Sequence, residues 1–408
     1  MNILFLTQRV PYPPNKGDKL RSFNEIKFLS QRHDVALVCL TDNEHDLKYR
    51  QELQQYCASV DIIRLSSLRS NLQSLFYLPS NIPLTFAYFY SKACQRIVEQ
   101  KLKQQQWDII FVYCSSMAQY VEHVHDIPKV IDFVDVDSEK WAQYSQYSTF
   151  PKNWVYRSES KRLRKHEQRI AKTFQHCFLV AEREVSDFQK IVCPCPTMTP
   201  ILNGVDQTAF QPSEDPYQHN MLTFTGDMSY FANVETVLYF SRVILPYIQA
   251  AIAGVKFYIV GRNPTEAVHN IAKQNPHVIV TGGVDNIQPY VTQSAAFVAP
   301  MRIARGVQNK ILEAMAMGVP VVTNSLGFEG ITATPGVDIF VEDDPQKFAQ
   351  QVVALMTDAK LRATVALNAR KSIAQHYDWD TNLSVLEKTL LHVVEQCGNA
   401  GKTDLAQR

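Results

Sequence analysis

No apolar run in this sequence approaches the roughly 20 residues that a bilayer-spanning helix needs, so no integral membrane segment is expected. The first residues, MNILFLTQRV, lack the charged n-region, long apolar stretch and small-residue cleavage site of a secretory leader. An excess of charge of one sign is missing too. With 41 basic and 40 acidic residues the formal net charge is +1, so no global field calls for nucleic acid and binding must be local. The eight cysteines (Cys39, Cys57, Cys94, Cys114, Cys177, Cys193, Cys195 and Cys397) are scattered, several inside apolar runs where a thiol acts as a small hydrophobe. Cys193-Pro-Cys195 has the wrong spacing for a redox or zinc pair, and no second Cys or His cluster supports a metal site. These absences lead us to expect a cytoplasmic protein, soluble or peripheral, with reduced thiols and no metal.

What is present is enough for two cores. A chain of 408 residues with 46% hydrophobic content is long for a single domain. Residues 2–7 (NILFLT), then a Pro- and Gly-marked loop, a helical pattern through Phe23, Ile26, Phe28 and Leu29, and the apolar run Val35 to Leu40 make a βαβ opening. Residues 59–65, 108–113, 129–134 and 176–181 continue as short apolar strands with helical segments between them. The run ILNGVD (201–206) and the polar stretch QPSEDPYQHN mark a boundary, after which the pattern restarts with MLTFTG at Met221. Residues 255–261, 277–283, 294–300 and 319–324 follow as strands, and the chain beyond Pro345 is helical to about residue 398. No sequence repeat relates the halves, yet both read as doubly wound α/β domains, whose ligands bind at the carboxyl ends of the strands. The expected division is 1–205, 206–375 and a helical segment 376–408. Gly17, in the loop after the first strand, is either a turn glycine or an acceptor-side contact.

Two stretches break the alternation. Residues 68–90, rich in aromatics and interrupted by two prolines, read as an irregular excursion. Residues 152–172 hold Lys152, Arg157, Lys161, Arg162, Arg164, Lys165, Arg169 and Lys172 against Glu159 and Glu167. Leu163, Ile170 and Phe174 give this basic helix a narrow apolar edge, so it either packs as a solvated helix or lies on anionic lipid.

The stretch 305–320, RGVQNKILEAMAMGVP, gathers polar groups at the start of an otherwise apolar helix. With a start near Val307, the residues Val307, Ile311, Leu312, Ala314 and Met315 fall on one face, and Asn309, Lys310, Glu313 and Met317 on another. Gly306 allows close backbone approach where the helix presents unpaired N–H groups and the positive end of its dipole. Taken alone, the window fits a phosphate cradle or a helix start with an i,i+3 Lys310–Glu313 salt bridge.

In that order and at these spacings, ILNGVDxxxF, the strand ending VGRNP, the GGVDN turn and RGVQNKILEAMAMGVPVV resemble the retaining glycosyltransferases of family 4. With FxGxMxYxxN at the second domain's start and DFVDVDSxKW in the first, the chain is similar to bacterial sugar transferases of exopolysaccharide and exosortase (PEP-CTERM) systems. The resemblance runs from about Ile3 to Leu390. It implies the GT-B fold: two Rossmann-like domains facing across a cleft, with a C-terminal helix crossing back to the first. The second domain would hold a nucleotide-diphosphate sugar and the first a glycan or lipid-linked glycan acceptor, without a metal or other cofactor. Glu313 takes the role of the carboxylate that accepts from the ribose hydroxyls, and Val284 contacts the base through its backbone.

The departures shape the expected chemistry. Where the family has a sugar-binding glutamate eight positions before Glu313, this chain has Arg305. Where the family has an arginine and a lysine after the second domain's first strand, this chain has Gly226 followed by Asp227, and then Asn233. Arg305 and Lys310 are expected to take over the diphosphate clamp, aided by N–H groups near Gly306 and Gln308, because the leaving oxygen gains charge in the transition state. Asp135 and Asp137, after the 129–134 strand, either hold or deprotonate the acceptor hydroxyl, or serve a helix cap formed by Asp137 or Ser138. Asp135-Val136-Asp137 has the spacing of a metal-binding motif but falls in the acceptor half. A sugar-nucleotide epimerase and a non-catalytic nucleotide-sugar-binding partner of a polysaccharide assembly are the alternative readings.

Overall fold

Continuous apolar runs without polar alternation satisfy both faces of a strand only inside a sheet covered on both sides. That is where they lie. The computed structural model of the protein describes residues 1–15, 17–195, 197–213 and 217–406. It divides into two units, Met1–Ile201 together with the chain from Asp380 onward, and Leu202–Trp379.

The first unit is built on β1 (Asn2–Thr7), β2 (Asp34–Thr41), β3 (Ser59–Arg64), β4 (Ile109–Tyr113), β5 (Lys129–Val134), β6 (His176–Leu179) and β7 (Met198–Pro200). Their order is β3-β2-β1-β4-β5-β6-β7, and neighbours pair in parallel, with Leu4 opposite both Ala36 and Ile110. Leu4, Leu6, Val38, Ile110, Val112 and Ile131 form the centre of its core. The second unit uses β8 (Gln218–Thr225), β9 (Lys256–Val260), β10 (Val278–Gly282), β11 (Ser294–Ala299), β12 (Val321–Thr323) and β13 (Phe340–Val341), in the order β10-β9-β8-β11-β12-β13, again parallel. In both units the chain leaves the middle of the sheet for one edge and then returns to fill the other. The strand order therefore reverses between β1 and β4 and between β8 and β11, where doubly wound sheets open a ligand crevice.

Several boundaries differ from the sequence reading. β8 begins at Gln218 rather than Met221, absorbing the end of the polar stretch, of which residues 214–216 lie outside the described residues. Residues 68–90 are not irregular: helices occupy Ser67–Phe76 and Leu84–Phe89, the prolines falling between them and at the second helix's N-cap. The helix expected from Val307 runs over Asn309–Ala316, because Gly306 at φ +61° and Gln308 in a non-helical conformation precede it. Met317, grouped by periodicity with Asn309, Lys310 and Glu313, is buried.

The basic helix spans Lys152–Thr173 with Leu163, Ile170 and Phe174 all buried. Its two acids also point inward. Glu159 accepts from the N–H groups of Leu84 (2.7 Å) and Thr85 (2.9 Å), and Glu167 accepts from the N–H of Ser138 (2.9 Å). All eight cysteines are free thiols. Among the described residues no helix is long and apolar enough to cross a membrane.

Candidate functional site

The strand order of the second unit places four chain segments side by side at the carboxyl end of its sheet: Gly226 and Asp227 after β8, Gly261 and Arg262 after β9, Gly283 and Val284 after β10, and the 300–308 loop after β11. Close approach there requires glycine. A Cβ on Gly261 would lie 1.7 Å from the Gly226 carbonyl oxygen, and one on Gly226 would lie 2.6 Å from Asn233 Nδ2 and 3.2 Å from Lys310 Nζ.

Lys310 thus sits at the β8/β11 switch point. Its ammonium donates to Asn233 Oδ1 and stands 4.4 Å from the centre of the Phe224 ring. The i,i+3 salt bridge with Glu313 does not close; the two groups interact only electrostatically across one helical turn. Burial lowers the Lys310 amine to about 7, against the opposing pull of Glu313. Burial likewise raises the Glu313 carboxyl to about 7, against Lys310. Both side chains keep part of their surface open, so a ligand can reach them. A desolvated cation and a desolvated carboxylate, one turn apart, are suited to a ligand with a phosphate and a polyol end.

The supporting residues are now visible. Asn309 Oδ1 accepts from Asn203 of the ILNGVD turn (2.9 Å), which ties that turn to the helix start. Trp379 lies against Gly204, where a Cβ would stand 2.4 Å from the indole, so it packs the turn. Gln308 donates to the Arg305 carbonyl (3.2 Å), closing the loop before the helix. Val284 follows Gly282 and Gly283 in the turn after β10.

Asp227 is held by partners in its own loop and in the loop after β9. Burial alone would raise its carboxyl, but bonds from Ser229 Oγ (2.6 Å) and N–H (3.1 Å), Arg262 Nε (3.0 Å) and Asn263 hold it at about 2. It orders the β8 loop and positions Arg262. The sequence reading assigned Arg262 no role. Its signal is an arginine directly after a glycine at the end of an apolar run, but its partner at the end of the adjacent strand becomes apparent only in the sheet order.

In the first unit, β4 and β5 end beside the β1/β4 switch point, and both leave the sheet through positive φ, at Cys114 (+71°) and Val134 (+67°). The Asp135 N–H donates to the Phe133 carbonyl (2.8 Å) across Val134, and Asp132 Oδ1 accepts from the Val134 N–H (2.7 Å). A β-branched residue in this turn is strained, and such strain persists only where surroundings over-determine it. They do here. Buried Arg21 donates to Asp132 Oδ2 (2.6 Å) and to the Ile201 carbonyl (2.7 Å), with Glu25 3.2 Å away. This turn presents Asp135. Burial, and then the Glu184 carboxylate, push its carboxyl up to about 7, with Lys140 opposing.

Asp137 is the first residue of the Asp137–Gln146 helix but does not cap it. Glu184 takes the Val136 N–H (3.0 Å) and Glu167 that of Ser138, while Asp137 accepts from Ser115 Oγ (3.1 Å) and lies 3.9 Å from Lys140 Nζ. Gly17 is the first residue of the Gly17–Leu29 helix that follows β1. Among the described residues no group of three or more His, Cys, Asp or Glu side chains is arranged to hold a metal ion.

Two doubly wound parallel sheets in one chain, with the last helix returning to the first unit, define the GT-B class, and solved structures agree. Sucrose-phosphate synthase from Thermosynechococcus elongatus superposes over 100% of both chains with a TM-score of 0.70 at 14% identity. Anabaena HepE, solved in complex with UDP and glucose, matches 96% of this chain and 99% of its own with a TM-score of 0.68 at 17% identity. Residues 219–358 match the model of the family described as Glycosyl transferases group 1. A Klebsiella pneumoniae protein described as an uncharacterized 44.6 kDa protein in the cps region is 23% identical over 397 residues, which are 92% of this chain and 96% of that protein.

Proposed function

We propose that the protein is a glycosyltransferase that moves a sugar from a nucleotide-diphosphate sugar to a hydroxyl of a glycan or lipid-linked glycan, in the synthesis of exopolysaccharide or another cell-surface glycan. The observation that carries this reading is the pair Lys310 and Glu313, desolvated at the switch point inside the group 1 domain. HepE with UDP and glucose bound, and the cps-region relative, support the donor and the pathway class.

Glu313 accepts from the ribose hydroxyls. Lys310, Arg305 and the start of the Asn309–Ala316 helix meet the diphosphate, and Val284 meets the base. The charge that develops on the departing phosphate oxygen is compensated by these cations and N–H groups, so the reaction proceeds without a divalent metal. The donor phosphate takes the acceptor proton and configuration is retained, while Asp135 and Asp137 position the acceptor hydroxyl. Product anomer analysis by NMR tests retention, and an inverted product would move Asp135 into the role of base.

The central test is Lys310→Ala, assayed with the nucleotide sugar that most raises Tm in a screen of UDP-, GDP-, ADP- and TDP-sugars. Loss of a group that stabilises transition-state charge is expected to lower kcat/KM by about two orders of magnitude or more. Near-normal turnover would remove Lys310 from the mechanism. A protein stabilised by a nucleotide sugar that never releases the nucleotide would instead be a binding partner.

A further inference from the structure

The Ser67–Phe76 helix turns its largest apolar side chains outward. Leu68 (79% exposed), Leu72, Leu75 and Phe76 (80%) recur at i, i+4, i+7 and i+8, which is one face of a helix, and the residue it buries is Ser70. Contiguous apolar stripes of this kind on a soluble surface mark an interaction site.

The segment that follows the stripe is held on the basic helix. Arg162 donates to the carbonyls of Tyr77 (3.3 Å), Leu78 and Ile82 (3.4 Å), which pins the segment after Phe76 onto the Lys152–Thr173 helix. On that helix Trp154 (60% exposed), Lys161, Lys165 and Lys172 fall within about 20° of one line, with Arg157 beside them. Phe150 (82% exposed) stands just before its start. Arg164 and Arg169 are paired with Glu139 and Glu122. Among the described residues, Lys152, Arg157, Lys161, Lys165 and Lys172 close no ion pair, and the helix's own acids face inward. The surface is therefore apolar along one strip and cationic along another.

We propose that this face docks on an anionic phospholipid surface, with Leu68, Leu72, Leu75 and Phe76 entering the acyl boundary and the free lysines over the phosphate headgroups. The charge complementarity selects this occupant, since a bilayer pairs an apolar interior with an anionic plane and this surface pairs an apolar strip with a cationic one. The proposal does not depend on the sugar-transfer reading.

The test is co-sedimentation of the full chain with phosphatidylglycerol-containing vesicles and with pure phosphatidylcholine vesicles. The wild type is expected to pellet with the anionic vesicles alone. Lys161→Ala with Lys165→Ala should weaken binding about fivefold per lysine, and Leu72→Asp with Phe76→Asp should abolish it. Leu367→Asp, at an exposed leucine of the second unit, should change nothing. Unchanged melting of each variant keeps the comparison clean. A wild type that stays in the supernatant, or variants that bind as it does, overturns the proposal. So does a concentration-dependent dimer, abolished by Leu72→Asp in the absence of vesicle binding, which would assign the stripe to a second copy.

Discussion

Lys310 and Glu313 each hold a charge that their surroundings disfavour, and a nucleotide diphosphate is what would compensate the first. In the free protein burial has brought both groups to about 7, from the opposite directions expected for an amine and a carboxyl. Binding an anion favours protonated Lys310 and raises its pKa in the complex. Donor affinity should therefore be insensitive to this group below pH 7 and fall above it, by up to about tenfold per pH unit. Glu313 works in the other direction, since the ionised carboxylate is the better acceptor for ribose hydroxyls, and its contribution fades as pH drops below 7. A plot of donor Kd against pH should be tightest near 7. Lys310→Ala should remove the alkaline limb and Glu313→Gln the acid limb. Titration calorimetry across this range checks both, and a flat profile in the wild type would mean that neither group contacts the donor. The pair was legible in the sequence because i,i+3 spacing on a helix is a local property. Arg262 was not, because its partner Asp227 belongs to a neighbouring strand end.

At the scale of elements, the buried parallel strands were readable because each is a continuous apolar run. β7 and β13 escaped because three and two residues carry no pattern. The start of the Asn309–Ala316 helix was placed two residues early because periodicity does not see the positive φ of Gly306. The sequence leaves a cap by Asp137 or Ser138 open as one alternative for the Asp137–Gln146 helix; the N–H groups at its start are met instead by Glu167 and Glu184, which are remote in sequence.

Glu167 has a testable consequence. Burial raises its carboxyl to about 8, the Ser138 bonds opposing, so its folded pKa lies above the unfolded value. Its contribution to stability is therefore fully present below about pH 4.3, the ordinary glutamate value, and is lost as pH rises through about 8. Glu167→Gln keeps an acceptor for the Ser138 N–H and carries no charge to desolvate. The variant should gain Tm relative to wild type at pH 8 and little at pH 5, whereas Glu167→Ala should lose about 1–3 kcal/mol at pH 5 by orphaning the N–H and less at pH 8, where removing the buried charge offsets that loss. Thermal melts at the two pH values decide. Equal behaviour of the Gln variant at both would mean that Glu167 is ionised in the native protein throughout.

For the whole molecule, the last helix decides how the chain's ends are held. Trp379–Ala406 starts at the edge of the second unit, yet from Asp380 it belongs to the first. Leu383, Leu386, Leu390 and Val393, on one helical face, are all buried, and Glu387 reaches Arg32 (2.7 Å) and His33 (3.0 Å). The burial dominates. A fully buried aliphatic side chain contributes about 1.5–3 kcal/mol, whereas a surface pair such as Arg32–Glu387 contributes about 0–1. Leu386→Ala should therefore cost roughly 2–5 kcal/mol and lower the first unit's melting by roughly 5–15 °C, while Arg32→Ala should shift it by less than about 4 °C. The residues proposed to bind the donor all lie between Leu202 and Trp379. Donor-induced stabilisation of the second unit should therefore survive Leu386→Ala, as calorimetric scans with and without the nucleotide sugar would reveal. If the donor shift disappears together with the first unit's stability, donor binding needs groups from both units, and the confinement of the proposed donor site to the second unit is wrong.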